Sequence, residues 1–239
     1  MGGLDLTQFL LVTLVMAAAT VVQLAAGLGM ALVGAPLLLA IDARLVPVAF
    51  SAAVMVLLLG QWRANAAAVP RGLLRPAVAG MVLGTAVGMA LAAAWPWMGS
   101  RRGCGAVILV AAALTLFARP VAPRAPVLAG MGLVSGVMGG LAAVHGPLLG
   151  LAVSHLPAAP ARGFLALFYL IAQGTILVLA VPAGRADWGT PLLALSLLPG
   201  VALGAAVSGP ARRWLTGPRL RAGIVTLAVV AGGLLVAAG

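Results

Sequence analysis

Charged residues are confined to short clusters along this chain, and the stretches between the clusters are apolar. Residues 6–41 and residues 125–161 contain no charged side chain, and three shorter uncharged stretches follow each of them. A charge is costly at the centre of a bilayer, so uncharged stretches of this length are typical of membrane-spanning helices. The spacing predicts an all-α membrane protein with about eight transmembrane helices.

The overall composition agrees with a bilayer as the solvent. Of the 239 residues, 64% are hydrophobic and 7% are charged, whereas a soluble domain carries about 25% charged residues. The first apolar stretch follows Asp5 and lacks the preceding basic residues of a secretory signal. We therefore expect a retained first span and a multi-pass protein in the inner (plasma) membrane of a prokaryote.

The order of the uncharged stretches occurs twice. A long stretch is followed by a short, a medium and another short one, first within residues 1–120 and again within residues 121–239. This internal repeat predicts two transmembrane repeats of four spans each. Local sequence agrees with it, because Gly27-x8-Pro36 resembles Gly139-x7-Pro147, and Gly80-x3-Gly84 resembles Gly200-x3-Gly204.

The long stretch that opens each repeat fits neither one helix nor two complete spans. As a single helix, the 36 residues of the first would extend about 54 Å, against a hydrocarbon core of about 30 Å. A span followed by a broken or re-entrant half-helix fits better, and matching breaks in two repeats point to a transport site. The predicted breakers are Gly27, Gly29, Gly34 and Pro36 in the first repeat, and Gly136, Gly139, Gly140, Gly146 and Pro147 in the second.

The regularly spaced glycines have a simpler interpretation. Glycines four residues apart form a flat face that lets two membrane helices approach closely. We assign this packing role to Gly80, Gly84, Gly88, Gly200 and Gly204.

Few polar side chains lie within the predicted spans, and each is a functional candidate because polar groups are costly in a membrane. Gln23 precedes the first break, Ser135 and His145 belong to the second, and Tyr169 and Gln173 share one face of a later helix. Each could instead form a hydrogen bond with a neighbouring helix. His145 is the one central side chain that titrates near neutral pH, so we predict that any proton linkage passes through it. A purely structural histidine is the alternative.

The pattern of charges favours an anionic substrate. The three carboxylates, Asp5, Asp42 and Asp187, all lie at predicted span ends, whereas a cation pathway usually places one within the spans. Half-helix N-termini supply partial positive charge to an anion. Arg63 and Arg162 could add full charge at the pore mouths or serve as interfacial anchors. The predicted substrate-binding residues are Gln23, Gly27, Gly29, Pro36, Gly139, Gly140, His145, Gly146, Pro147 and Gln173.

Other classes of protein fit the sequence less well. The net charge of +11 comes from arginines clustered between apolar stretches, which is typical of span ends and not of a nucleic-acid-binding surface. A single cysteine, Cys104, excludes a redox pair within the chain. We find no enzyme motif and expect no cofactor and no metal. A non-transporting scaffold or assembly subunit is the remaining alternative. The expected partners are a small anionic substrate and the lipid bilayer, and a homodimer is left open.

At the two glycine-rich segments the chain resembles the sulfite exporter TauE/SafE family of membrane permeases. The resemblance rests on Ala26-Gly27-Leu28-Gly29 through Ala35-Pro36, on Gly136-Val137-Met138-Gly139-Gly140 through Gly146-Pro147, and on Pro199-Gly200-x3-Gly204. It implies a secondary transporter or exporter of small sulfur-containing or organic anions, such as sulfite, sulfonates or sulfoacetate. The chain departs from the family pattern where Ala142-Ala143-Val144-His145 interrupts the second glycine run.

The membrane orientation is not decided by the sequence. With eight spans, six arginines fall on one side and eight on the other. The positive-inside rule then prefers the second set only weakly and leaves both termini outside. If each long stretch crosses the membrane twice, each repeat has five crossings and the two repeats are inverted relative to one another.

Overall fold

The computed structural model describes residues 4–27, 29–117, 121–145, 147–214 and 217–238, and these residues contain α-helices and short 3-10 turns but no strand. The all-α prediction is confirmed for this part of the chain. The helices are α1 (Leu6–Ala26), α2 (Met30–Ile41), α3 (Val48–Asn65), α4 (Arg71–Ala94), α5 (Arg101–Phe117), α6 (Ala125–Ala142), α7 (Pro147–Ala152), α8 (Ala158–Ala180), α9 (Thr190–Trp214) and α10 (Gly217–Ala238).

Six of these helices are long and apolar enough to cross a membrane, namely α1, α3, α4, α6, α8 and α9. α2 and the apolar part of α10, Ala222–Ala238, are shorter, and α5 has 17 residues that begin with two arginines. The chain is therefore a multi-pass membrane protein.

The first long stretch breaks at two glycines and then turns back. Gly27 and Gly29 have φ angles of 76° and 114°, which L-residues with side chains rarely adopt. Beyond the break, Gly29 lies against Val22, and Gly34 lies against Ala19. As the residue number rises along α2, the residue that it contacts on α1 has a lower number, so α2 runs antiparallel to α1. The predicted break after a full-length span is confirmed.

Proline does not cause this break. Gly34 and Pro36 both lie inside α2, so the prediction that they interrupt the chain is wrong. A proline ring fixes φ near the helical value of about −65°, and its cost is a missing amide hydrogen bond. A helix can accept that loss and continue, whereas reversing the chain needs the positive φ angles that glycine adopts.

The second break lies later than the glycine cluster suggested. α6 continues through Gly136, Gly139 and Gly140, so the prediction that these glycines break the helix is wrong. The helix ends at Ala142, and Ala143 takes the left-handed conformation with φ of 58°. Pro147 is the first residue of α7, and Gly146 lies outside the described residues.

Glycines join α4 to α6 along several turns of both helices. Along α4, Gly80, Gly84 and Gly88 face the backbone of Ala129, Leu133 and Val137 in that order, and the glycines of α6 face α4 in return. Because the residue numbers of the contacting pairs rise together along both helices, α4 and α6 are parallel. A Cβ at any of these glycines would collide with the facing backbone, which explains why Gly136 and Gly140 are glycines inside a helix.

The same packing joins α1 to α9. Gly200 lies against Thr13 and Met16, and Gly204 lies against Ala17 and Thr20, so these helices are also parallel. The packing role predicted for the spaced glycines is confirmed.

Two further pairs complete the bundle and run antiparallel. Between α3 and α8, Gly163 lies near Asn65 and Gly174 near Met55. Between α5 and α10, Gly105 lies against Leu235, while Leu109 lies against Gly232.

Candidate functional site

A narrow cavity lies where the two breaks approach α3 and α8. Its volume is about 30 Å³, enough for one or two water molecules. It brings together four of the predicted site residues: Gln23, Gly29, His145 and Gln173. The full lining is Gln23, Gly29, Met30, Ala31, Phe50, Val54, Leu58, Ala143, His145, Tyr169 and Gln173.

Gln23 holds the first break together. Its side-chain oxygen accepts a hydrogen bond from the Met30 backbone amide at 3.3 Å. Its side-chain nitrogen donates to the Gly27 carbonyl at 3.2 Å and lies 3.5 Å from the side-chain oxygen of Gln61. Gln23 therefore caps the first turn of α2 and closes the loop between α1 and α2.

The beginning of α2 presents partial positive charge to the cavity. Amides in the first turn of a helix have no acceptor within that helix, and the helix dipole is positive there. Met30 and Ala31 are the first two residues of α2, and both line the cavity. Because Gln23 occupies the Met30 amide, the Ala31 amide is the first-turn donor that an anion in the cavity could use.

His145 comes from the second break and is 2% exposed. Neither of its ring nitrogens has a hydrogen-bond partner among the described residues. Its backbone carbonyl accepts a hydrogen bond from the Ser135 hydroxyl, which ties the break to α6. The ring fills the space that a Cβ on Gly139 would need, so Gly139 serves the site by leaving room for the histidine.

α8 contributes a second polar group. Gln173 is 4% exposed, and its side-chain oxygen has no partner among the described residues. Tyr169 lies one turn earlier on the same helix face and packs edge-on against Phe168, with ring centroids 5.7 Å apart. The sequence prediction that Tyr169 and Gln173 share a face is confirmed.

The opposite wall is apolar and comes from α3. Phe50, Val54 and Leu58 line it, and sequence reasoning missed all three. Apolar side chains within an apolar span carry no signal that separates a cavity wall from any other packed face. No charged side chain lies among the residues that line the cavity.

The other predicted site residues lie outside the cavity lining. Gly27 is at the first break, next to Arg162. Pro36 lines a separate groove with Arg101 and the end of α10. Gly140 packs against the backbone of α4 at Thr85 and Met89. Gly139 lies behind the His145 ring, Pro147 begins α7, and Gly146 is outside the described residues.

Comparison with known proteins gives one family. The sequence model of the family described as sulfite exporter TauE/SafE matches residues 12–235, which include both breaks and every residue that lines the cavity. No curated protein and no solved structure matches the chain.

Proposed function

The chain belongs to the sulfite exporter TauE/SafE family of membrane transporters, and from this premise we propose that it is a secondary transporter of small sulfur-containing or organic anions. Substrates of the sulfite, sulfonate or sulfoacetate type fit the proposal. The inner (plasma) membrane is the proposed location. The observation that carries the proposal is a cavity in which buried, unpartnered polar groups of His145 and Gln173 face the first turn of α2.

This cavity suits an anion better than a cation. The positive end of α2 and amide donors attract negative charge, and no carboxylate lines the cavity to neutralise a cation. A buried polar group without a partner costs free energy. A bound oxyanion would reduce that cost at His145 by accepting a hydrogen bond from its ring N–H. Gln173 could donate to the anion through its side-chain nitrogen.

The alternative of a non-transporting scaffold leaves these features without a purpose. A scaffold needs packed helices, which the glycine faces of α4 and α6 already provide. It has no use for broken helices whose ends surround unpartnered polar groups at membrane depth, where irregular backbone is tolerated only in a protein interior or around water.

We further propose that residues 1–120 and 121–239 form two inverted repeats, each with four spans and one short returning helix. α1 is parallel to α9, α3 is antiparallel to α8, and α4 is parallel to α6. Consecutive spans joined by short loops alternate in direction. α6 therefore runs opposite to α1, and the second repeat begins at the opposite end of the bundle from the first.

Inverted repeats suggest how the anion would pass. The cavity is narrow, and we expect it to widen when the anion passes. α1 and α6 run in opposite directions, so their breaks approach the cavity from opposite ends of the bundle. We propose that the two breaks open in turn, which is the alternating access expected of inverted repeats.

The test is transport by purified protein in liposomes. Radiolabelled sulfite, a sulfonate and sulfoacetate would be compared as anions, with rubidium as a cation and protein-free liposomes as the control. We expect saturable anion movement that a Gln173→Leu variant lacks while keeping its elution profile in detergent. Absence of transport for every anion, or transport of rubidium in its place, would contradict the proposal.

A further inference from the structure

The three aspartates lie at one end of the bundle, which we call the aspartate face. Here α1, α3, α5 and α9 begin. Asp42 pairs with Arg44 at 2.6 Å, Arg44 also interacts with Asp187, and Asp42 with Arg101. Asp5 caps the start of α1 at the same end. The arginines of this face are Arg44, Arg101, Arg102 and Arg185.

The other end, which we call the arginine-rich face, carries arginines without any carboxylate. α3 and α9 end there, and α4, α6, α8 and α10 begin there. Its arginines are Arg63, Arg71, Arg75, Arg124 and Arg162. Four further arginines belong by sequence to the end of α9 and the start of α10.

This distribution indicates the membrane orientation that the sequence left undecided. Arginines flanking spans are enriched on the cytoplasmic side, so the arginine-rich face is cytoplasmic. The sequence count of six against eight assumed eight crossings. α4 is parallel to α6 and α3 is antiparallel to α8, so α6 and α8 begin at the same end of the bundle. The second long stretch therefore returns to the end from which it starts, and Arg162 and the arginines after it change sides relative to that count. All three aspartates then lie outside.

Arg162 has a special place on the arginine-rich face because it lies beside the first break. The point where Gly27 would carry a Cβ is 3.9 Å from the Arg162 side chain. The next residue, Gly163, packs on Asn65, whose side chain donates to the Gln61 carbonyl. The Gln61 side chain in turn faces Gln23. Contacts through Gly163, Asn65 and Gln61 thus connect the neighbourhood of Arg162 to Gln23 at the cavity.

We infer that Arg162 is the residue that captures the substrate anion at the cytoplasmic mouth, beside the first break. The inference rests on the proposed function. Arg162 is exposed and forms no ion pair with any described residue, so its guanidinium is free to bind an oxyanion through two parallel hydrogen bonds. Capture at this face loads the transporter from the cytoplasm, as export requires.

The first experiment measures sulfite transport into inverted membrane vesicles, in which the cytoplasmic face is outside. Arg162→Gln should raise the KM for sulfite about fivefold at low salt with little change in maximal rate, and added salt should shrink the difference. Arg162→Lys should retain part of the effect. Arg124→Gln, which removes the same charge from the same face away from the break, should match the parent.

An equal KM for Arg162→Gln and Arg124→Gln would overturn the inference and leave Arg162 as an interfacial anchor. If the parent protein itself moved no anion, the proposed function would fail. The two failures are distinguishable because the parent and the variants are measured side by side, with folding checked by elution in detergent.

The second experiment tests the orientation without any transport assay. Trp188→Cys places a thiol on the aspartate face, where Trp188 is 99% exposed, and Ala122→Cys places one just before α6. The native Cys104 is buried, so the parent serves as the unreactive control. In intact cells, a membrane-impermeant maleimide should label Trp188→Cys at once and Ala122→Cys only after permeabilisation. The reverse pattern would overturn cytoplasmic capture.

Discussion

The side chain of Gln23 accepts a hydrogen bond from the backbone amide of Met30 at 3.3 Å and so joins the end of α1 to the start of α2. The side-chain nitrogen of Gln23 donates to the Gly27 carbonyl at 3.2 Å. Glutamine alone among side chains of this length offers both an acceptor and a donor without a charge. Because Gln23 also lines the cavity, the residue that closes the break also faces the proposed substrate site.

This double role predicts the effect of a negative charge at the break. Gln23→Glu keeps the acceptor for the Met30 amide but places a carboxylate in the cavity, where it repels an anion. We expect anion transport to fall by at least about tenfold, which corresponds to 1.4 kcal/mol or more of like-charge repulsion. Initial rates in liposomes measure it.

The matched control is Gln8→Glu at the exposed start of α1. Gln8 and Asp5 form a capping box there, and glutamate serves that motif as well as glutamine does. The control should transport like the parent. Normal transport by a folded Gln23→Glu protein would show that the substrate passes elsewhere.

Replacing two different glycines of α6 by alanine should have opposite effects on stability. A Cβ added at Gly140 would lie 2.6 Å from the Thr85 carbonyl oxygen, whereas one added at Gly130 meets nothing within 4 Å. Gly140→Ala should destabilise the protein by about 1–3 kcal/mol through overpacking. Gly130→Ala should be neutral or stabilise it by up to about 1 kcal/mol through helix propensity.

Thermal unfolding in detergent measures both variants. The predicted loss at Gly140 comes from the contact between α4 and α6 and not from contact with substrate. Equal unfolding temperatures for the two variants would mean that the helices do not approach each other this closely.

The sequence predicted the polar half of the site and missed the apolar half, for a physical reason. Gln23, His145 and Gln173 stand out because a polar group within a span is costly. Phe50 and Leu58 are as apolar as their neighbours, and only the position of α8 makes them a cavity wall.

The breaks were predicted in the right segments but at partly wrong residues. A glycine can provide either a positive φ angle or a flat packing face, and sequence alone does not say which. Gly29 provides a positive φ angle. Gly140 provides a flat packing face, because α4 lies against it. The left-handed residue at the second break is Ala143, which no composition rule would select.

The aspartate face predicts a small, pH-dependent contribution to stability. Arg44 holds the pKa of the Asp42 carboxyl below its ordinary value through hydrogen bonds to its guanidinium. A lowered folded-state pKa stabilises the protein above the ordinary pKa of 3.8, and the contribution disappears as pH falls through the lowered value. Asp42→Asn should therefore lower the unfolding temperature only slightly at neutral pH, since Arg44 is exposed and solvent screens the pair.

Unfolding temperatures of the parent and of Asp42→Asn, measured from neutral pH downward, test this. The two curves should be separated at neutral pH and converge in acid. If the difference between the two unfolding temperatures widened as the pH fell, the ion pair between Asp42 and Arg44 could not be the cause of the difference.

His145 carries the most demanding prediction, that proton linkage of transport passes through its ring. Both ring nitrogens are buried without partners in a cavity that no charged side chain lines, and Tyr169 is the other titratable group in the lining. A protonated ring and a bound anion attract each other there, so proton binding and anion binding each favour the other. The parent's initial rate should therefore rise as the pH falls from about 8 to about 5.5.

His145→Gln keeps hydrogen bonding and removes titration, so its transport rate should be nearly flat over that range while remaining measurable. His155→Gln is the matched control, because His155 is exposed near the start of α8 and outside the cavity lining, and it should keep the parent's profile. A parent-like profile in an active, folded His145→Gln protein would leave His145 with a structural role. A flat profile in the His155→Gln protein would move the proton site out of the cavity to the exposed segment before α8.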